Sequence, residues 1–426
     1  MKEIKVGILG LGTVGGGTAL VLQRNANEIK RRVGRSVVVT MASVRSLTSE
    51  RLCDCSQLSL TQDPFEIVNH PDIDVVVELI GGETLSKELV LQAIANGKHV
   101  VTANKALIAL HGNEIFARAQ AQGVTVAFEA AVAGGIPVIK SLTEGLAANE
   151  ITRVMGVMNG TCNYILTRME TAGLPYDAVF KEADDLGYLE ADPTLDVGGI
   201  DAGHKLALLA SIAFGTRPDF AGIEIEGIER IEIEDIRQAA DMGYRIKLLG
   251  VAQRTGRGLE QRMQPCLVPA TSPLGQLEGG TNMVVLEGDS VEQIVLRGPG
   301  AGEGPTASAV MGDICDLARG SRIPVFGQPA ASLDTAPSAK AVLPAPYYLR
   351  MALLDKPGAL AKIATILGKS GVSIDRMRQY GHSEPSAPVL IVTHKTTRAA
   401  LDDALADMQD TDVLVAPPVA LRIENL

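Results

Sequence analysis

Tryptophan is absent from the 426 residues, and aromatic residues of all kinds make up only 3%, so the cores must be assembled from alanine, valine, isoleucine and leucine. Basic residues are outnumbered, 39 against 50 acidic, for a formal net charge of −11. An excess of that sign argues against a phosphate backbone as partner, and no nucleic-acid role is expected. Cysteines are few, odd in number and scattered: Cys53, Cys55, Cys162, Cys266 and Cys315. Cys53 and Cys55 have the wrong spacing for a zinc knuckle and no second pair, so all five are expected as reduced thiols in a reducing compartment. No apolar run approaches the ~18 residues that would span a bilayer. The opening MKEIKVGILG enters a strand at once and leaves no room for a signal peptide. A cytoplasmic protein with no membrane partner is expected. What the chain has in quantity is aliphatic residues, 46% hydrophobic against 21% charged, as packed globular proteins do, in a length that allows two or three domains.

Residues 2–9 alternate polar and β-branched positions before turning fully apolar, the pattern of a buried parallel strand. Gly10, Leu11, Gly12, Thr13, Val14 and Gly15 follow directly, and a helical run follows them. A G-x-G-x-x-G between a strand and a helix lets the backbone approach a pyrophosphate held at the helix N-terminus. This predicts an α/β fold with a Rossmann-type, doubly wound parallel sheet. The second strand, residues 36–44, ends at Val44, Arg45 and Ser46 with no carboxylate for ribose hydroxyls. A cation and a small hydroxyl there favour a 2′-phosphate, hence NADP(H) over NAD(H), with an ordinary surface arginine as the alternative. Strands at 74–80 and 99–102, flanking a helix over 84–96, bring Gly81, Gly82, Thr102 and Lys105 to the strand ends that face the cofactor crevice.

Residues 183–205, ADDLGYLEADPTLDVGGIDAGHK, gather six acidic residues and four glycines into loop chemistry that ends at a helix start. Asp201 and Lys205 stand four apart at the head of the apolar run LALLASIAF, on one face if that run is helical. A carboxylate and an amine would then project together; a solvated loop with a surface ion pair is the plain alternative. The spacing of Ala183, Gly187, Tyr188, Asp192, Pro193, Asp196, Val197, Gly199, Asp201 and Lys205 resembles the signature of homoserine dehydrogenases, with Leu189 standing where that family prefers a small residue.

The resemblance implies reversible NAD(P)H-dependent reduction of L-aspartate 4-semialdehyde to L-homoserine, in the synthesis of threonine, methionine and isoleucine. Hydride transfer to an aldehyde leaves an alkoxide, and an ammonium beside that oxygen both stabilises the charge and supplies the proton; Lys205 is assigned this part. The stretch TANKAL also recurs in the family, at the junction of cofactor and substrate, which makes Lys105 the second catalytic candidate and a neighbour of the cofactor. Glu190 and Asp201 are expected to bind the substrate ammonium or to orient Lys205. By the same resemblance Tyr188, Asp196 and the Asn159, Gly160, Thr161 element lie beside the amino acid substrate, and Thr161 is placed to cap the helix after it. Gly187 and Gly302 meet the cofactor, the latter in a glycine-rich loop at 296–305 that returns the chain to its first domain. Glu129, Val132, Gly134 and Ile136 match the family's ligands for a monovalent cation, assigned as Na+. From the residues alone, inward carbonyls and close helix packing explain that Ala/Gly segment equally well.

The organisation expected is a Rossmann domain at 1–130, completed by 300–327, and an α+β substrate and dimerisation domain with an open mixed sheet at 131–299. Strands are expected at 124–129, 151–161 and 247–253, alternation at 223–233, and a helix at 235–244. A linker rich in proline, alanine and serine follows at 328–346, then a βαββαβ, ferredoxin-like module at 347–426. Asp355, Pro357, Gly358, Ala359 and Leu360, together with 371–374, resemble an ACT domain, a sensor of amino acids, with Ser373 where many carry asparagine. Threonine is the implied effector. Unprotected sheet edges predict a homodimer or homotetramer. Two rivals stay open: an NADP-dependent oxidoreductase for another small amino acid aldehyde, and an amino acid sensor without turnover.

Overall fold

The computed structural model describes residues 2–189, 192–339, 343–379 and 386–424; Glu190 lies outside them. Short valine- and isoleucine-rich runs alternate with helices, the condition for a parallel sheet covered on both faces. The elements are β1 (Ile4–Leu9), α1 (Thr13–Val33), β2 (Val37–Ser43), β3 (Ser59–Thr61), α2 (Pro64–Asn69), β4 (Val75–Glu78), α3 (Thr84–Ala95), β5 (His99–Thr102), α4 (Lys105–Gln122) and β6 (Val126–Ala127). All pair in parallel in the order β3-β2-β1-β4-β5-β6, so the winding reverses between β1 and β4 and opens a crevice at their C-terminal ends. The turn into α1 admits only glycine at two points: Gly10 has φ +92°, and a Cβ on Gly15 would lie 2.0 Å from the Gly10 carbonyl oxygen.

The strand expected over 124–129 shortens to two residues, because the chain enters a helical turn at Glu129–Ala131. Then come α5 (Val138–Lys140), β7 (Ile151–Val157), α6 (Gly160–Ala172), α7 (Tyr176–Asp185), α8 (Pro193–Val197), α9 (Ile200–Phe214), β8 (Glu224–Ile225), α10 (Ile233–Asp241) and the hairpins β9 (Tyr244–Thr255) with β10 (Gly258–Pro269) and β11 (Thr281–Gly288) with β12 (Glu292–Pro299). Apolar on nearly every side, α9 is buried between α4 and the β9–β10 hairpin. The next helix, α11 (Glu303–Arg319), returns to α1 and adds Val310, Ile314 and Leu317 to the core of Val6, Ile8 and Val77.

The C-terminal elements β13 (Tyr347–Leu354), α12 (Ala359–Lys369), β14 (Ile374–Gln379), β15 (Ser386–Thr393), α13 (Arg398–Gln409) and β16 (Val419–Ile423) have the βαββαβ order and the antiparallel arrangement β16-β13-β15-β14. The sheet does not stop there. β16 pairs in parallel with β10, so nine strands run as β12-β11-β7-β9-β10-β16-β13-β15-β14, and β8 joins on β10 as the tenth. The proline- and serine-rich stretch before β13 is bound along this body: Asp334 exchanges main-chain hydrogen bonds with Gly215 and Arg217, and Leu259 with Pro337 and Ala339.

Charged side chains seal the seam between β10 and β16. Arg262 and Glu260 of β10 are fully buried; Arg262 pairs with Glu260 and Glu424, and Glu424 also takes Arg422 and Arg153, each at 2.6 Å. Burial alone would lift the Glu424 carboxyl, but Arg262, Arg422 and Arg153 draw it below the usual range. Among the described residues no helix is long and apolar enough to cross a membrane. Glu424→Ala would leave Arg262 buried without this carboxylate, a loss of about 3–5 kcal/mol. Urea unfolding should show it, and an unchanged midpoint would mean that the cluster does not hold β16 on β10.

Candidate active site

The crevice floor is set by Glu78 at the end of β4. Its buried carboxylate accepts the N–H groups of Ile80 at 3.0 Å and Gly81 at 3.1 Å and the hydroxyls of Ser86 at 3.0 Å and Thr102 at 2.6 Å. The Thr102 side chain is therefore buried under the floor. Its oxygen accepts the Asn104 N–H at 3.0 Å, while Asn104 caps α4 by accepting the Leu107 N–H at 3.1 Å and donates to the Gly82 carbonyl at 2.6 Å. Lys105, first residue of α4, is thereby directed into the crevice from the helix N-terminus.

Opposite it stands α9, whose first turn carries Asp201, a favourable place for a carboxylate on the helix dipole. Lys205 Nζ lies 2.6 Å from Asp201 Oδ2, and Lys105 Nζ lies 2.7 Å from Oδ1. Lys205 also donates to the Met158 carbonyl at 2.8 Å. Asn159 donates to Asp196 at 2.9 Å and reaches Asp201 Oδ2 at 3.4 Å. Burial would raise the Asp201 carboxyl; Lys205 first and Lys105 next reverse this and hold it well below the usual range.

Asn159, not Thr161, caps α6, accepting the Cys162 N–H at 2.8 Å. Asn159 is the last extended residue and Thr161 is already inside the helix, so only Asn159 can reach back to the free N–H groups. The Thr161 hydroxyl donates instead to the Tyr188 carbonyl at 2.9 Å. Tyr188 stacks on Tyr164 with ring centroids 4.6 Å apart, Gly160 opens α6, and Gly187 ends α7 on the surface.

Between Lys105 and the glycine turn lie two adjoining hollows. One, about 440 Å³, is lined by Val14, Gly81, Lys105, Asp201 and His204. The other, about 550 Å³, is lined by Gly10, Leu11, Gly12, Arg45, Ser46 and Arg51, and Leu79 and Ile80 line both. The first turn of α1, which begins at Thr13, has neither a side-chain cap nor an acidic residue, so its N–H groups are left for an anion. A separate apolar hollow of about 310 Å³, beside Phe116, Val124 and Phe326, contains no acid–base pair.

The 129–136 turn is not part of the lysine cluster. Glu129 accepts the Ile139 and Lys140 N–H groups, each at 2.9 Å, and donates its own N–H to Asp313 of α11 at 2.9 Å. Burial, and after it Asp313, lifts the Glu129 carboxyl to about 7. Val132, Gly134 and Ile136 follow in the same turn, which packs on the glycine-rich loop through the Gly135 N–H to the Pro299 carbonyl at 3.1 Å; Gly302 opens α11 with φ +109°. Sequence reasoning passed over Arg51, Glu78 and His204. His204, three residues after Asp201 on the same helix face, lies against Phe220 with ring centroids 4.2 Å apart, and burial lowers its pKa.

Family models described as homoserine dehydrogenase, its NAD binding domain and the ACT domain match residues 137–315, 10–129 and 347–412. The homoserine dehydrogenase of Pseudomonas aeruginosa is 48% identical over 435 residues, covering 100% of both chains. The crystal structure of a homoserine dehydrogenase from Thiobacillus denitrificans matches with TM-score 0.94 and 48% identity, covering 100% of this chain and 99% of that one. A hyperthermophilic archaeal homoserine dehydrogenase in complex with NADPH matches with TM-score 0.65 and 26% identity over 75% of this chain and 99% of its own.

Asp201 has a folded pKa below its unfolded value, so its stabilisation is present above the ordinary carboxylate pKa of about 3.9 and is lost as pH falls toward the folded value. Asp201→Asn should therefore cost on the order of 2 kcal/mol at pH 7, and the gap from the parent should narrow below about pH 4. Urea unfolding across pH measures this; a gap independent of pH would contradict it.

Proposed function

Since the chain belongs to the homoserine dehydrogenases, its reaction is the reversible reduction of L-aspartate 4-semialdehyde to L-homoserine with a pyridine nucleotide, and we propose that Lys205 delivers the proton and that NADPH is the preferred nucleotide. The observation that carries the first assignment is the meeting of both ammonium groups on Asp201 at the edge of the crevice. The bound nicotinamide supplies the hydride. An ammonium has three N–H groups; Lys205 gives one to Asp201 and one to the Met158 carbonyl, and the third serves the substrate oxygen. As negative charge grows there, that N–H stabilises it and passes its proton across. Lys105, 30% exposed against 11% for Lys205, neutralises charge and holds the substrate. Asp201 keeps both amines in place, Asn159 and Asp196 brace Asp201, and Gly160, Thr161, Tyr188 and Glu190 take the amino acid end.

NADPH is supported by Arg45, Arg51 and Ser46 lining one hollow beside the glycine turn, and by the NADPH bound to the related archaeal enzyme. Gly10, Leu11, Gly12, Thr13, Val14 and Gly15 hold the pyrophosphate, while Gly81, Thr102, Gly187 and Gly302 shape the nicotinamide end. Glu129 with the carbonyls of Val132, Gly134 and Ile136 would hold Na+: each Glu129 oxygen already takes one N–H and keeps a lone pair, and an all-oxygen donor set suits a hard cation. This reading retains the domain limits drawn from the sequence and a cytoplasmic enzyme. It also includes a homodimer or homotetramer built on the outer edge of β12, where Val295 is exposed, and threonine acting through the ACT module. Gel filtration, and NADPH oxidation with threonine added, decide these last two.

Lys205→Ala should lower turnover in NADPH oxidation by roughly several hundredfold; near-normal turnover would remove the role. Arg51→Ala should lower kcat/KM for NADPH by about 10- to 100-fold and leave NADH unaffected, as the loss of a charged hydrogen bond to phosphate would. An equal loss with both nucleotides would contradict the 2′-phosphate assignment.

A further inference from the structure

The Met158 carbonyl oxygen accepts two hydrogen bonds: Lys205 Nζ at 2.8 Å and Asn282 Nδ2 at 3.1 Å. Asn282 comes from β11, which pairs with β7 up to Met283 opposite Val157, so it stands just beyond the ladder where β7 gives way to Met158. It is 1% exposed, and its Oδ1 is buried without a hydrogen-bond partner. The carboxamide lies against Gly300, where a Cβ would come within 2.1 Å of its Cγ and Nδ2. The amide is thus wedged between the Met158 carbonyl and the glycine-rich loop, with its donor turned to that carbonyl. An unsatisfied buried acceptor is a cost that a structural side chain has no reason to carry.

A carbonyl has two lone pairs. We propose that Asn282 is a positioning residue for the proton transfer: by occupying one lone pair of the Met158 carbonyl it confines the Lys205 ammonium to the other. The inference rests on the reading of Lys205 as proton donor. The titratable groups that interact with Lys205 directly are Asp201 and His204 of α9 and Cys162 of α6, and Lys105 of α4 meets it through Asp201. None of them changes when position 282 is varied.

In homoserine oxidation Lys205 must be neutral to accept the proton. Asn282→Asp puts a carboxylate where a donor stood, so the rising limb of the kcat–pH profile should move up by roughly one unit or more, with KM for the nucleotide unchanged. Asn282→Leu, which removes the donor without adding charge, should lower kcat about tenfold, the usual scale of one lost hydrogen bond, and leave the limb closer to the parent. The position of the limb does not depend on how much of a variant is folded. A limb for Asn282→Asp that coincides with the parent's overturns the inference. Lys205→Ala, measured alongside, separates the two claims: parental turnover in that variant would remove the proton donor itself, whereas lost turnover with an unmoved Asn282→Asp limb would remove only Asn282.

Discussion

A single buried carboxylate, Asp201, holds two ammonium groups that reach it from different parts of the chain. Lys105 starts a helix of the nucleotide-binding sheet, and Lys205 belongs to a helix packed under the second sheet. Without the anion the two cations would repel each other across the crevice. With it, Lys105 and Lys205 are held together between α4 and α9. The surrounding polar structure serves that contact: Glu78, Thr102 and Asn104 fix the start of α4, and Asn159 and Asp196 support the carboxylate from α6 and α8.

The second constraint is the continuity of the long sheet. The ACT module shares its β16 edge with β10 of the catalytic body, and the same β10 packs on α9, the helix of Asp201 and Lys205. The buried cluster of Arg262, Glu260, Glu424, Arg422 and Arg153 crosses this seam. Buried ion pairs add little net stability but tolerate no missing partner, which suits a junction that must assemble in one register. The strap at 328–339 adds further main-chain bonds from the same body.

The parts of the fold that were legible were those with local signals. β-branched runs, a glycine fingerprint and an unbroken apolar run announce themselves within a dozen residues, and the nucleotide sheet, α9 and the ACT order all came from such signals. The β10 strand did not, because Glu260, Gln261 and Arg262 are consecutive polar residues that only distant contacts bury, Arg262 pairing with Glu260 and with Glu424 and Gln261 donating to the Asp219 carbonyl. The 124–129 strand was read too long, since nothing local marks the turn at Phe128, which tertiary contacts to Asp313 impose. In the site, Lys205 and Asp201 were visible by spacing and Lys105 only by resemblance. Arg51, Glu78 and Asn282 carry no motif; each matters through a partner distant in sequence or across a loop, which spacing cannot reveal.

The measurement closest to the central claim is a crystal structure of the complex with an oxidised nucleotide and homoserine. The account places the homoserine hydroxyl within about 3 Å of Lys205 Nζ, a hydrogen-bond distance, with Asp201 still bridging both lysines. A hydroxyl bound elsewhere, with the Lys205 ammonium turned away from the nicotinamide, would contradict it.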